Sequence, residues 1–396
     1  MMKVVMLNYD FKVFWKGRLI YLHEFLATKQ INFHALELFG KGSAYSFDSY
    51  DNKQEWWTCL FPANSADEIS KKEMKKAFFD KLDNINPDII IASSIVFFAG
   101  ALGLRWAKKN KKKFIVFENA KPSQFKRNFL VQGVKDLLLE QADGFWLPSA
   151  DYDKEYPKLY NKGIHFFYGY CCVDNSLFKT IGKNELNHNH ILCVARIVPI
   201  KNIDNLLKAW QLIEQKGINH KLIIIGDGPG YDDLKNLSIH LNLKNVELLG
   251  TVDNKDIPPY FYNSDAFILP SLSETWALVV NEAMAAGMPV LLSNKINAAH
   301  TLLKEGVNGF SFDPLNVNEI ADAVFKYISL GTEARKSMSA MSSEIIDTMD
   351  YENMGLKLIE ALSEINSRPY KKPGLMAAKL INLWDGRYST FAWNRL

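Results

Sequence analysis

Short apolar runs alternate with amphipathic stretches along almost the whole chain. Residues 3–8 (KVVMLN) predict a first strand, 10–17 a loop, and 18–29 a helix with Leu19, Leu22, Phe25 and Leu26 on one face. Residues 41–67 are irregular and aromatic, with Tyr45, Phe47, Tyr50, Trp56, Trp57 and Phe61. They read as a packed edge strand in preference to an acceptor-shaping insertion. Residues 67–84 predict a charged amphipathic helix and 87–91 a strand. The apolar run 89–104 is split by Ser93-Ser94 and too short to span a bilayer, so it reads as a buried strand running into a buried helix. Residues 114–117 and 145–149 predict further strands.

The second half repeats the rhythm. Strands are predicted at 191–196, 221–225, 246–252, 265–270 and 290–293, and helices at 277–286, 320–330, 332–349 and 351–365. Strand–helix alternation over 396 residues predicts two doubly wound α/β domains. The expected divisions are 1–178, 179–345 and a C-terminal helix and tail at 346–396 that cross back to the first domain. The hinge is expected at about 175–188, and the tail carries Trp384, Tyr388, Phe391 and Trp393. Packing on the first domain is the preferred reading of those aromatics.

The densest chemistry lies in 271–293. Ser271, Ser273 and Thr275 offer turn and N-cap oxygens, an apolar helix follows, Gly287 stops it and Pro289 opens the next strand. Glu274 stands in the loop and Glu282 inside the apolar helix. An unpaired charge on such a helix is costly, and a ligand bearing hydroxyls at the mouth of the sheet would satisfy it.

Glu274 and Glu282, eight apart and followed by A-x-A-x-G-x-P-V, resemble the signature of the family 4 glycosyltransferases. The resemblance implies the GT-B fold, two Rossmann-like domains facing a cleft. Further segments extend it. Arg196 and Lys201 match the family's G-R-L-x-x-x-K-G, with Ala195 and Asn202 where the glycines stand. Residues 225–229 resemble V-G-D-G-P, 248–252 resemble F-L-G-x-V, and 306–314 match G-x-N-G-F-x-x-x-P. Residues 169–178 resemble the G-V-D-x-x-x-F segment between domains. Before residue 170 the match is loose. The opening loop has only Gly17, flanked by Lys16 and Arg18, which either supply charge or are simply exposed. Glu118-Asn119 stands where the family often has a histidine, after the strand at 114–117.

The implied roles follow residue by residue. Arg196 and Lys201 hold the donor pyrophosphate, Glu282 the ribose hydroxyls and Glu274 the sugar. Thr275, Trp276, Ala277 and Leu278 form the donor-binding turn and helix start, where the family has glycine at 277. Gly226 and Val252 lie beside the nucleoside, and Gly17 approaches the donor. Glu118 is a further active-site carboxylate, because ligands bind beyond the carboxyl ends of parallel strands. The resemblance also implies retention at the anomeric carbon and no obligatory metal.

Two rival motifs carry less. The strand followed by Gly226, Gly228 and Gly230 invites a dinucleotide-binding reading, but the spacing is not G-x-G-x-x-G and Pro229 lies within the turn. Asp151 and Asp153 match the D-x-D of metal-dependent transferases, yet they sit where a helix opens and aspartates serve as caps.

Net charge is only +3, but residues 101–150 carry ten basic against four acidic side chains. That stripe, with Arg105, Lys108, Lys109, Lys111, Lys112, Lys113, Lys126 and Arg127, reads either as a solvated helix end or as a surface for anionic membrane. Hydrophobic residues make up 48%, ample for two cores. The first dozen residues lack an apolar signal region. Cys59, Cys171, Cys172 and Cys193 show no metal spacing and read as reduced, in a cytoplasmic protein. The expected activity is transfer of a sugar from a UDP- or GDP-linked donor, with no other cofactor and no nucleic-acid partner. The acceptor is a glycan or a lipid-linked carrier, with peripheral contact at the inner face of the cell membrane. A nucleotide-sugar epimerase or hydrolase, and a non-catalytic nucleotide-binding module, remain as alternatives.

Overall fold

The computed structural model describes residues 1–11, 15–42, 54–124, 128–179 and 189–388. Tyr45, Phe47, Tyr50, Lys126, Arg127, residues 180–188 of the expected hinge, Phe391 and Trp393 lie outside the described residues. The chain divides into two compact units, Met1–Tyr170 with Tyr351–Arg395, and Cys171–Asp350.

The first unit is built on β1 (Met2–Asn8), β2 (Ile31–Phe39), β3 (Trp57–Phe61), β4 (Ile89–Ser93), β5 (Lys113–Phe117), β6 (Gly144–Leu147) and β7 (His165–Tyr168). The second carries β8 (His190–Val194), β9 (Lys221–Ile225), β10 (Val246–Gly250), β11 (Ala266–Leu269), β12 (Val290–Ser293) and β13 (Gly309–Phe312). The sheets run β3-β2-β1-β4-β5-β6-β7 and β10-β9-β8-β11-β12-β13, and every pairing is parallel. Each order reverses once, between β1 and β4 and between β8 and β11. This is the doubly wound arrangement the alternation predicts.

Strand interiors are apolar and continuous because both faces are covered. Val4–Leu7, Ile89–Ala92 and Ile191–Cys193 are fully buried. The 89–104 run is β4 followed by the helix Phe98–Lys109, as its length requires. The aromatic stretch contributes edge strand β3, on which Trp57 donates to buried Glu37 at 3.2 Å. All four cysteines are buried, and none is in a disulfide.

The basic stripe is not a free cationic surface. Lys108 is buried and pairs with Asp143 at 3.1 Å, and Lys112 pairs with Asp88 at 3.0 Å. Lys113 donates to the carbonyls of Arg368 and Pro369. Arg105 bonds the carbonyls of Ile381 and Trp384 and pairs with Asp385 at 2.8 Å. Among the described residues of the stripe, only Lys109 and Lys111 stand exposed. Lys113 and Arg105 thereby hold the segment after Tyr351 on the first unit. Trp384 adds a ring N–H to the Ile95 carbonyl, and Tyr388 packs edge-on against Phe98. Arg18, near the opening loop, is also structural. It is buried, stacks 4.1 Å over Trp15 and donates to the Tyr170 carbonyl.

Asp143 accepts from both Lys108 and the Phe114 amide. Burial pulls the Lys108 pKa down, and Asp143 is the group that opposes this. Asp143→Ala strands a buried ammonium and should cost about 3 kcal/mol. The check is the urea midpoint, and an unchanged midpoint rejects the account.

Candidate functional site

Crevices in doubly wound sheets open beyond the carboxyl ends of the strands at the point of reversal. In the second unit that point lies between β8 and β11. Their pairing, Ala266 with Ile191 and Phe267 with Leu192, brings the two strand ends level. Arg196 follows β8, Lys201 closes the turn Pro199–Lys201, and Glu274 to Leu278 follow β11. Gly226 follows neighbouring β9, and Val252 follows β10. The residues expected to bind donor in this unit, Glu282 aside, thus emerge along one edge of one sheet.

Asparagines and backbone bonds fix the loops. Asn202 adopts a left-handed φ of 58°, where the resemblance has glycine, and its amide donates to the carbonyls of Pro270 and Pro314. The Leu272 amide bonds the Ile200 carbonyl at 2.8 Å, tying the β8 loop to the β11 loop. Ser271 donates to Glu274 at 2.8 Å, and Lys201 also bonds and pairs with Glu274. Asn297 donates to the Thr275 carbonyl at 3.2 Å. The Trp276 ring is buried and donates to Asn281, which in turn donates to the Cys171 carbonyl. Gly226 has φ 143°, and a Cβ there would collide with the Ala195 carbonyl, so only glycine lets the ends of β8 and β9 approach.

The expected N-cap chemistry is corrected. The helix is Leu278–Ala285, and no serine or threonine side chain caps it. Its N-cap is Ala277, held at φ 79° and ψ 78°. The first amides of any helix lack intrahelical acceptors, so those of Leu278 and Val279 are open to a ligand.

Two charged side chains here are unengaged. Arg196 is half-buried, and its guanidinium has no hydrogen-bond or ion-pair partner among the described residues. Glu282 likewise has no side-chain partner among them. It keeps some surface, yet burial among apolar neighbours pushes its carboxyl up to about 7.

Residues 176–345 match the family described as glycosyl transferases group 1. An uncharacterized glycosyltransferase of Methanocaldococcus jannaschii is 30% identical over 195 residues, which are 48% of this chain and 54% of that protein. The chain spans about half the length, or less, of the curated relatives it matches. Sucrose-phosphate synthase from Thermosynechococcus elongatus superposes with a TM-score of 0.74 at 17% identity, over 92% of this chain and 99% of that one. Anabaena HepE in complex with UDP-glucose gives 0.69 at 18% identity, over 92% and 100%. The fold class is therefore GT-B, two Rossmann-like doubly wound units.

In the first unit, Gly17 and Glu118 follow β1 and β5, at the carboxyl edge of the first sheet. Gly17 sits in the first turn of the helix Lys16–Thr28, and a Cβ there would stand 2.5 Å from the Tyr351 hydroxyl. Close helix packing is one reason for this glycine. Glu118 is buried, with Lys135 at 3.7 Å. Asp151 and Asp153 open a 3-10 turn and are engaged. Asp151 bonds Lys121 and Lys154, and Asp153 accepts from Tyr168 at 2.5 Å. Among the described residues no three His, Cys, Asp or Glu side chains converge as metal ligands would.

Sequence reasoning missed Asn202, Asn281 and Asn297, which position the loops. Asn202 had a signal, standing in the family's glycine position, where a left-handed residue is needed. Asn281 and Asn297 had none, because a buried asparagine's partners become visible only in three dimensions.

Burial of Glu282 has a stability consequence with a definite sign. The unfolded carboxyl releases its proton near its ordinary value of 4.5, whereas the folded one holds it to about 7. Stability from this group is therefore full below 4.5 and falls as pH rises to 7, by about 3 kcal/mol in all. Glu282→Gln should become more stable relative to wild type by about that amount between pH 4 and pH 8 in urea unfolding. A difference constant with pH would count against it.

Proposed function

We propose that the chain is a glycosyltransferase moving a sugar from a UDP- or GDP-linked donor to a glycan or lipid-linked acceptor, with retention and without an obligatory metal. One observation carries the reading: Arg196, Lys201, Glu274 and the N-terminus of the helix Leu278–Ala285 all follow strands at the carboxyl edge of the second sheet, where its strand order reverses. Two cations and open helix amides suit a diphosphate. The group 1 match over this same unit, and a structural neighbour that holds UDP-glucose, support a nucleotide-sugar as the ligand.

In this reading Arg196 and Lys201 stabilise the charge that develops on the departing diphosphate, the largest task in this chemistry. Lys201, which now neutralises Glu274, is shared between that carboxylate and the phosphates. Glu274 accepts from the sugar hydroxyls. Glu282 accepts from both ribose hydroxyls, and the ligand supplies the partners it lacks in the free protein. Thr275, Trp276, Ala277, Leu278, Gly226 and Val252 present backbone to the nucleotide. No helix among the described residues is long and apolar enough to cross a membrane. A cytoplasmic site of action, at the inner membrane face when the acceptor is lipid-linked, agrees with four cysteines outside disulfides.

Calorimetry with UDP and GDP, followed by transfer of labelled sugar to an added acceptor, tests the reading. Release of free sugar with no transfer would reject it. Glu282→Gln should lose about 1.5–3 kcal/mol of affinity at pH 8, since a charge-assisted bond becomes a neutral one. Because the free carboxyl titrates near 7, wild-type affinity should fall roughly tenfold from pH 8 to pH 6 relative to the variant. The variant measured alongside cancels the titration of the ligand's own phosphate. Parallel pH profiles would remove Glu282 from the donor site. EDTA should leave transfer largely intact, because the protein's own cations face the diphosphate. Activity lost to EDTA and restored by manganese would overturn that part.

A further inference from the structure

The helix Leu375–Leu383 is apolar on both its faces, and no acidic residue stands anywhere in 366–384. Its inner face packs on the helices Phe98–Lys109 and Phe129–Leu139 and buries Ala377 and Ile381. A helix with one side in water ordinarily turns polar residues outward. Here Leu375 is 94% exposed, Met376 69% and Leu383 69%. The start of the neighbouring helix continues the surface. Phe129 is 80% exposed and Leu130 64%, and Val131 lines the same crevice as Leu383. Large apolar side chains exposed together in this way mark a surface with a partner.

The charge around them has one sign. Lys379 stands one turn from Leu375, Met376 and Leu383, and Lys372 just precedes the helix. Both are exposed, and neither ammonium has a hydrogen-bond or ion-pair partner among the described residues. Tyr370 donates to the Lys108 carbonyl at 2.9 Å, which sets this segment against the helix end followed by exposed Lys109 and Lys111. The carboxylates nearby are engaged: Asp136 pairs with Lys158 at 3.0 Å, and Asp385 with Lys75 at 2.5 Å and Arg105 at 2.8 Å.

This pattern selects among partners. A second copy of the chain would set the lysines against each other across a two-fold axis. A protein partner receives its anchors in pockets, whereas these side chains protrude. An anionic bilayer needs no such fit. Its acyl boundary takes up protruding apolar side chains, and its headgroups receive the lysines that flank them. Nine residues are too few to cross a bilayer, so the helix would lie in the interface.

We propose that the helix Leu375–Leu383 docks in the plane of an anionic bilayer surface. Leu375, Met376 and Leu383 insert below the headgroups with Phe129 and Leu130 beside them, and Lys372 and Lys379 meet the phosphates. This assigns membrane contact to the helix and not to the basic stripe, most of which is engaged within the fold. The inference does not rest on the glycosyltransferase reading.

Sedimentation of the full chain with vesicles tests it. Vesicles of equal parts phosphatidylglycerol and phosphatidylcholine should carry the protein down at low salt and release most of it at high salt. Pure phosphatidylcholine should bind at least tenfold less. Leu375→Asp with Met376→Asp should weaken binding to the anionic vesicles at least tenfold. Acids in a first helical turn complement the dipole, so this helix is kept. Lys372→Gln with Lys379→Gln should weaken binding about tenfold and flatten its salt dependence. UDP calorimetry and the urea midpoint should be unchanged in both double variants. No wild-type binding at low salt, equal binding to pure phosphatidylcholine, or wild-type binding by either double variant would each overturn the proposal. A wild-type dimer that Leu375→Asp with Met376→Asp dissociates would give the face to a second copy and overturn it as well. UDP bound by a protein that ignores vesicles would sink this proposal and leave the donor reading standing; vesicles bound without UDP would do the reverse.

Discussion

A parallel sheet whose strand order reverses leaves its carboxyl ends uncovered at one place, because the connections on either side of the reversal lead away from each other. The second unit depends on that constraint. The level ends of β8 and β11 fix where Arg196 and Glu274 emerge. Everything that follows holds two loops still at that point. Asn202 pins the β11 loop through Pro270, Leu272 reaches back to Ile200, and Asn297 and Asn281 secure Thr275 and Trp276. Each buried amide is satisfied within the protein, and so rigidifies the loops without consuming the charges.

The two units use charge differently. In the first, Arg105, Lys108, Lys112 and Lys113 are committed to aspartates and backbone carbonyls, and what they achieve is folding. In the second, Arg196 and Glu282 have no such commitments among the described residues, and Glu282 holds its proton to about 7 in consequence. A half-buried carboxyl without partners is unfavourable for the free protein. Holding its proton is what lets the carboxyl stay there.

This difference explains what the sequence made legible. Strand–helix alternation revealed both sheets, because parallel strands buried on both faces read as unbroken apolar runs such as 89–92 and 191–193. The site edge was legible wherever glutamates, cations and glycines stood at strand ends. The basic stripe was less legible, because a count of lysines does not reveal that Asp143, Asp88 and the C-terminal segment already engage several of them. Those partners lie tens to hundreds of residues away in the chain. The cap was misread for a related reason: Ser271 turns its hydroxyl to Glu274 and not to the helix.

Ala277 brings these strands of argument together. An alanine at φ 79° and ψ 78° is strained by about 1–2 kcal/mol, and such strain persists only where the surroundings over-determine it. Here they do. Thr275 is held from one side by Asn297, Trp276 is locked into the core by Asn281, and the Val280 amide bonds the Ala277 carbonyl. Relaxing the alanine would mean breaking several of these bonds together. The left-handed turn lets the chain leave the β11 loop and enter the helix within one residue, so that the helix begins at the sheet's edge with its open amides there. A right-handed residue at 277 would send the helix off in another direction. The strain is thus the local cost of bringing the positive end of a helix dipole to the edge where Arg196 and Lys201 already stand.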